Sequence, residues 1–178
     1  MASPKVKLGI LLPTRGLLLG ETAPESADRV LDMARRAEDA GLDSVWVGDS
    51  LIAKPRLEPL STLAAVAACT KRVRLGTAVL LAALRHPVLL AQTMATVDLI
   101  SRGRLLIATG VGGAFNDEQR AEWRAAGVSP SRRASRLEEV LEIVKGLGSG
   151  QPLDFSGRHF DLEKVSMEPL PIQAGGVP

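Results

Sequence analysis

The chain has 178 residues and a formal net charge of +2, and 46% of its residues are hydrophobic and 24% charged. This length suits one domain with a single core, and the composition is that of soluble globular proteins, which argues against disorder. Both charge signs are scattered and only three Phe, two Trp and no Tyr occur, so we expect no nucleic-acid partner.

Two further features limit the partners and the location. Cys69 is the single cysteine, which excludes an internal disulfide or thiolate metal site, and no other cluster suggests a metal. The apolar run Leu8–Leu12 stops at Pro13, far short of a membrane span, and no signal peptide is recognisable. We therefore expect a cytoplasmic protein with no metal and no membrane partner.

Aliphatic runs alternate with helical patterns along the first two-thirds of the chain. A loop with three leucines, Leu17–Leu19, follows the first run. The predicted strands are Val6–Leu12, Ser44–Gly48, a stretch beginning at Arg72, and Arg104–Thr109. The predicted helices run from near Pro24 to the C-capping Gly41, from Pro59 to Cys69, and from Pro87 to about Ile100.

The third unit, RVRLGTAVLLAALRHP from Arg72 to Pro87, shows the organisation most clearly. A buried strand leads into a loop, and Pro87 then suits the first turn of a helix because its φ is fixed and it lacks an N–H. The strand centres lie about 30 or more residues apart, the size of a strand–helix unit. Continuous apolar strands are typical of a parallel sheet buried on both faces. The sequence therefore predicts an α/β protein with four successive βα units in the order 1-2-3-4.

The pattern changes after the fourth strand. Ser129 followed by Pro130 predicts the start of an amphipathic helix that ends at Gly148. A short helix, Glu118–Ala126, precedes it, and a hairpin of Leu153–Ser156 with His159–Leu162 follows. We expect one domain over residues 1–178, with a hairpin insertion at 150–168 and a linker at 169–178 that leads toward a fifth strand.

Candidate site residues lie where ligands bind in parallel α/β sheets, outside the carboxyl ends of the strands. Asp49 follows the second strand, where it suits a ligand and a loop cap about equally. Gly110–Gly113 follow the fourth strand and suit close backbone approach to a flat ligand or an ordinary turn. Arg85 and His86 are more simply explained as the start of a helix. There is no P-loop or nucleophile elbow.

Three segments resemble the bacterial luciferase-like flavin- or deazaflavin-dependent oxidoreductases: AEDAGLDSVWVGD, RVRLGTAVLLAALRHPVLLAQTMATVDLISRGRLLIATGVGG and DFSGRHFDLEKVSMEPLP. The resemblance implies a (β/α)8 TIM-barrel fold, of which the chain holds the first half, and FMN or the deazaflavin coenzyme F420 over the strand ends. It implies that Asp49 lies near the isoalloxazine and that Ala78–Val79 is a bulged, often cis, peptide under the ring. The expected cofactor-binding residues are Asp49, Thr77, Ala78, Val79, Gly110, Val111, Gly112 and Gly113.

The family pattern differs from this sequence at two positions. Many deazaflavin-dependent members have His where Ser50 stands, and some have a proton-donating Glu where Gly113 stands. No catalytic acid or base is therefore assigned. The resemblance implies an oxidoreductase or monooxygenase that transfers hydride or activates oxygen on a small-molecule substrate. The alternatives are a truncated, non-catalytic half-barrel acting as an assembly module or remnant, and an unrelated α/β protein that binds another phosphorylated ligand.

Length leads to a further expectation. A full barrel takes about 250 residues, so four units leave an open sheet with two free edges. Interior side chains, among them Leu11, Val47, Leu75 and Leu106, are expected to lose burial on one face. We therefore expect a homo-oligomer, most simply a symmetric dimer. We also expect weak or no flavin binding, because the resemblance places much of the cofactor phosphate site in later units.

Overall fold

The computed structural model describes residues 6–16 and 23–178, so the expected loop leucines Leu17–Leu19 lie outside the described residues. The strands are β1 (Gly9–Leu11), β2 (Ser44–Val47), β3 (Arg74–Leu80), β4 (Leu105–Thr109), β5 (Leu153–Ser156) and β6 (Asp161–Val165). The α-helices are α1 (Ala23–Asp39), α2 (Pro59–Cys69), α3 (Pro87–Ser101), α4 (Asp117–Ala125) and α5 (Arg133–Leu147).

Local sequence explains where the helices begin. Helices α2 and α3 start with proline at the first helical position, as predicted. Glu58 caps α2, because its Oε2 accepts a hydrogen bond of 2.7 Å from the backbone N–H of Ser61. Asn116 caps α4 in the same way, satisfying an N–H that the helix itself leaves free.

The first four strands form one parallel sheet in the order β1-β2-β3-β4, which confirms the predicted order. The pairing is regular except between β3 and β4, where the register shifts between Thr77 and Leu80. Each strand is followed by at least one helix, so all four carboxyl ends lie at one edge of the sheet. The loops at this edge form the candidate site.

The core lies between the sheet and the helices. Val47 and Leu75 are fully buried there, so the expectation that they would lose burial was wrong. They point to the helical layer because alternate residues of a strand share a face. The opposite face is open: Leu11 is 60% exposed and Leu106 is half-buried. Trp46 lies across Gly76 on this open face, in space that a Cβ at position 76 would occupy.

Two charged side chains close the amino ends of the strands. Buried Glu38 accepts hydrogen bonds of 2.9 Å from the backbone N–H groups of Lys71 and Val73, and another from Arg72. Arg104 donates five hydrogen bonds of 2.7–3.0 Å to carbonyl and hydroxyl oxygens just before β3 and β4. Both side chains form their hydrogen bonds with protein groups, so they stabilise the fold at the amino ends of the strands.

The remaining segments pack beside α3 and β4. Ser129 makes no side-chain cap, and a 3-10 turn at Pro130–Arg132 comes before α5 instead. The hairpin of β5 and β6 is antiparallel, with β6 starting two residues later than predicted. Fully buried Asp98 accepts hydrogen bonds from Ile172 and Gln173. Ile107 of β4 donates to the carbonyl of Pro178 at 2.9 Å, so the Pro- and Gly-rich segment 169–178 lies along part of the β4 edge.

Within residues 6–16 and 23–178, no helix is long and apolar enough to cross a bilayer. The same residues contain no group of three or more His, Cys, Asp or Glu side chains placed to hold a metal ion.

Candidate functional site

A cleft of about 270 Å³ opens at the carboxyl ends of β2 and β3, between the loop after β2 and the start of α4. Parallel α/β sheets place their ligands at this edge, and the predicted site residues were drawn from it. The cleft is lined by Asp49, Ser50, Ala53, Lys54, Arg56, Ala78, Val79, Leu81, Gly113, Gln119 and Glu122.

Asp49 holds the loop that leaves β3. Its side chain is 2% exposed. Its Oδ2 accepts hydrogen bonds from the backbone N–H of Leu81 at 2.8 Å and from Nη1 of Arg85 at 2.6 Å. Its Oδ1 accepts from Nη2 of Arg85 at 3.2 Å. The bidentate contact fixes β2 against the segment after β3, so Asp49 shapes the cleft wall by holding other groups.

Arg85 joins this carboxylate to the start of α2. Its Nη2 also lies 3.0 Å from Oε1 of Glu58, the residue that caps α2. Burial lowers the pKa of Arg85, but the hydrogen bonds and charges of Asp49 and Glu58 outweigh burial and raise it, so the guanidinium stays charged. Burial raises the pKa of Glu58, and the hydrogen bonds from Ser61 and Arg85 outweigh it and hold that pKa below its ordinary value.

The floor of the cleft is the end of β3. The peptide bond between Ala78 and Val79 is cis, as the family resemblance predicted. Ala78 is exposed and Val79 is 41% exposed, so both present apolar surface to the cleft. Thr77 is fully buried and donates from Oγ1 to the carbonyl of Ala108 at 2.9 Å, behind the floor. The result is an apolar floor between polar walls.

The glycine loop after β4 supports this floor from the side. Gly110 donates to the carbonyl of Leu80 at 3.0 Å, and a Cβ on Gly110 would lie 2.7 Å from Cγ2 of Val79. Gly112 has a φ of +70°, and a Cβ there would lie 2.8 Å from buried Trp123. Of the four loop residues, Gly113 lines the cleft, and its carbonyl accepts from Nε1 of Trp123 at 2.8 Å. Close packing therefore requires glycine here.

Glu122 of α4 is a buried carboxylate that the sequence analysis missed. It is 3% exposed, and its Oε1 accepts from Oγ of Ser50 at 2.7 Å and from the N–H groups of Ile52 at 2.9 Å and Ala53 at 3.3 Å. Burial raises its pKa, but these hydrogen bonds together outweigh burial and keep the pKa below the ordinary value. Glu122 thus anchors the loop after β2 as an ionised acceptor and is poorly suited to donate a proton.

The structure therefore divides the predicted residues into two groups. Asp49, Ala78, Val79 and Gly113 line the cleft. Thr77, Gly110, Val111 and Gly112 lie outside its lining, next to residues that form it. His86 is exposed and packs edge-on against Phe160, with ring centroids 5.7 Å apart, so it does not belong to the cleft.

A larger cavity of about 460 Å³ lies elsewhere, between α3, β4, α5 and segment 169–178. Its lining is mostly aliphatic, and Lys145 is its one charged side chain among the described residues. It contains no set of convergent polar groups, whereas the smaller cleft does. We therefore choose the smaller cleft as the candidate site, because its polar side chains converge and those of the larger cavity do not.

The sequence of this chain is similar to those of known proteins. A model of the luciferase-like monooxygenase family matches residues 6–178. A curated F420-dependent glucose-6-phosphate dehydrogenase from Amycolatopsis mediterranei is 34% identical over 163 residues, covering 83% of this chain and 47% of that enzyme. The oxygenase component of a flavin-dependent trigonelline monooxygenase from Acinetobacter baylyi is 29% identical over 160 residues, covering 89% of this chain and 43% of that one.

A solved structure agrees with these sequence relatives. The crystal structure of monooxygenase RslO1 from Streptomyces bottropensis superimposes with a TM-score of 0.85 at 30% identity, covering 97% of this chain and 52% of that one. The chain therefore spans about half the length of the curated relatives and of this structure. The predicted fold class, the first half of a TIM-type barrel, is confirmed.

Proposed function

The chain belongs to the luciferase-like monooxygenase family, and on that premise we propose that it serves an oxidoreductase or monooxygenase reaction with FMN or F420. One of the named relatives is F420-dependent and another is flavin-dependent. The substrate is a small molecule. The site is the cleft at the carboxyl ends of β2 and β3.

The observation that supports the proposal is the apolar floor of the cleft. The exposed residues Ala78 and Val79 offer an apolar surface, which suits one face of an isoalloxazine or deazaisoalloxazine ring. Residue 110 is glycine, and a Cβ at this position would push the Val79 side chain out of its place. The residues present therefore fit a planar ring in chemistry, with an apolar floor and polar walls.

Each residue has a distinct part in this proposal. The cofactor, when bound, supplies the hydride transfer or oxygen chemistry. Ala78, Val79 and Gly113 would contact the ring, and Asp49 holds the loop after β3 through Leu81 and Arg85. Thr77 and Gly110 support the cleft floor through their bonds to Ala108 and Leu80, and Gly112 packs against Trp123. Val111, the remaining predicted residue, is 43% exposed.

Titration of the purified chain with FMN and with F420 tests this proposal through the visible absorption of each. We expect weak but saturable binding of at least one cofactor, and Val79→Asp to weaken it about tenfold because a desolvated charge would lie under the ring. Leu141→Asp is the matched control, since Leu141 is also 41% exposed but lies on α5. No saturable binding of either cofactor at millimolar concentration would overturn the proposal.

The open sheet face favours a second candidate role, in assembly. We propose that a second copy of the chain covers this face, because Leu11 is 60% exposed and Trp46 and Leu106 are half-buried on it. The small net charge of +2 opposes self-association only weakly. A homo-oligomer through this face would act as an assembly module even without bound cofactor.

Sedimentation equilibrium of two variants tests this role. Leu11→Glu places a charge on the open sheet face and is expected to produce monomers. Leu89→Glu places the same charge at another site that is 64% exposed, on the outer side of α3, and is expected to leave the assembly intact. A wild-type monomer, or dissociation by Leu89→Glu alone, would overturn the proposed interface.

We also propose that the protein works in the cytoplasm. The proposed reaction depends on redox cofactors that are kept reduced inside cells, and the single Cys69 is compatible with a reducing compartment. Cell fractionation with antibody detection tests this location, and recovery in an extracellular fraction would contradict it.

A further inference from the structure

The cleft contains hydrogen-bond donors that no protein group uses. Its two carboxylates, Asp49 and Glu122, accept hydrogen bonds from neighbouring protein groups. Lys54 and Arg56 also line the cleft, and among residues 6–16 and 23–178 neither forms an ion pair. The cleft therefore has its acid groups occupied and its cationic groups available.

Arg56 is placed by the fold rather than left on the outer surface. Its guanidinium lies directly over Gly48, in the space that a side chain at position 48 would fill, and the same space borders the carbonyl of Ala78. Its Nε donates to the carbonyl of Lys54 at 3.3 Å. This bond uses one of the five guanidinium N–H groups, so both Nη atoms have donors to offer to a ligand.

The loop that carries both cations is held in place. Glu122 binds Ser50, Ile52 and Ala53, and Oγ of Ser50 in turn accepts from the backbone N–H of Lys54 at 2.9 Å. These contacts fix the loop from residue 50 to residue 54 against α4. Because this backbone is already fixed, less conformational entropy is lost when the nearby Lys54 and Arg56 bind a ligand.

A third donor lies on the opposite wall. Gln119 of α4 lines the cleft, and its Oε1 accepts from the backbone N–H of Phe115 at 2.8 Å. That contact assigns the side-chain oxygen to the protein and leaves the Nε2 amide next to Gly113. Cationic and neutral donors therefore face the cleft from two sides.

We propose that this cleft binds an anionic oxygen group, a carboxylate or a phosphate, between the guanidinium of Arg56 and the ammonium of Lys54. The inference rests on the proposed function, because it assigns the bound group to a ligand of the same site. Planar Arg56 offers paired donors that match two oxygens of such a group, and Lys54 adds a point charge. The group belongs either to the substrate or to the cofactor.

Titration of the isotope-labelled full chain with inorganic phosphate tests the site itself, with the side-chain resonances of Arg56 and Gln119 as the readout. We expect saturable shifts, and we expect Arg56→Gln and Lys54→Gln each to weaken binding about tenfold, as for a lost charge-assisted contact. Arg35→Gln removes an exposed charge from α1 and is expected to change nothing. Lys54 is exposed, so its variant keeps the test valid if Arg56→Gln misfolds.

Two flavins then distinguish the sources of the anion. FMN and riboflavin share a ring, and only FMN carries a phosphate. If Arg56→Gln weakens FMN but not riboflavin, the anion is the cofactor phosphate. If both flavins bind unchanged while phosphate binding is lost, the anion belongs to the substrate. Equal phosphate affinity in wild type, Arg56→Gln and Lys54→Gln overturns the inference, whereas failure of both cofactors to bind overturns only the proposed function.

Discussion

Buried carboxylates lie at both ends of the sheet, but those at the carboxyl ends also line the candidate cleft. At the amino ends, Glu38 binds three consecutive backbone N–H groups, and Arg104 binds only protein oxygens. At the carboxyl ends, Asp49 and Glu122 are equally occupied, but Arg56 beside them has donors to spare. Buried carboxylates therefore stabilise the amino ends of the strands and shape the candidate cleft at their carboxyl ends, where βα-barrel architecture places the site.

Glu38→Gln should break the closed end and have the largest effect on stability. All three backbone N–H groups reach Oε2, so a Gln oxygen placed there can keep them, but the bonds lose their charge and the amide NH₂ then faces the N–H of Lys71. We expect a loss of about 3 kcal/mol in the free energy of unfolding, measured by urea denaturation. Glu142→Gln on the exposed side of α5 is the control and should change it by less than about 0.5 kcal/mol.

Flavin titration of the folded Glu38→Gln protein sharpens the comparison. Its cofactor affinity should equal that of the wild type, because Glu38 lies at the opposite end of the sheet from the cleft. A tenfold loss of cofactor affinity would show that the two ends of the sheet are coupled. It would contradict the view that Glu38 affects stability alone.

Asp49→Asn, at the carboxyl end of β2, should lower both the stability of the fold and the affinity for cofactor. The substitution removes the charge that pairs with Arg85 and leaves one acceptor oxygen for three donor nitrogens. We expect a loss of about 2 kcal/mol in unfolding free energy and a roughly tenfold loss of cofactor affinity. Asp117→Asn is the control, since its pair with Arg120 is solvent-exposed and contributes little to stability.

Acid should weaken both ends through their carboxylates. For Glu38, as for Glu122, burial raises the pKa but the hydrogen bonds outweigh it, so both folded-state pKa values lie below the ordinary value. A lowered folded pKa stabilises the fold above the unfolded pKa of about 4.3, and this stability is lost as pH falls through the folded values. Urea denaturation at a series of pH values should show a shallower decline below about pH 4.5 in Glu38→Gln than in wild type.

Gly110→Ala should give the smallest change in stability and still affect the site. The new Cβ would lie 2.7 Å from Cγ2 of Val79, and Val79 is 41% exposed, so it has room to move. We expect a loss below about 1 kcal/mol in unfolding free energy, with weaker cofactor binding because Val79 rises into the cleft. Gly148→Ala, which has a helical φ and no contact under 3.4 Å, is the control and should bind cofactor normally.

The sequence predicted the sheet because its signals are local. Each strand is an aliphatic run, Pro59 and Pro87 start helices at the first helical position, and sequential βα units have one handedness. It did not predict which face each strand residue takes, and Val47 and Leu75 were placed on the wrong one. In a continuous apolar run, inward and outward residues look alike, so only the packed helices distinguish them.

The site was predicted only where family resemblance or a strand end marked it. Glu122 lies in a short, mostly polar helix, and its partners Ser50 and Ile52 precede it by about 70 residues. Nothing local distinguishes a buried acid of this kind from an exposed one. Arg56 was likewise an ordinary loop cation in sequence, and its place over Gly48 depends on the packed end of β2.

The tether between Asp98 and Gln173 has a consequence for aggregation. By holding segment 169–178 beside β4, it lets Pro178 accept from Ile107 and occupy part of an edge that would otherwise be available to a foreign strand. Proline has no N–H to donate, so Pro178 offers no backbone donor at this edge. The tether thus leaves fewer backbone groups of β4 free to pair with a second molecule.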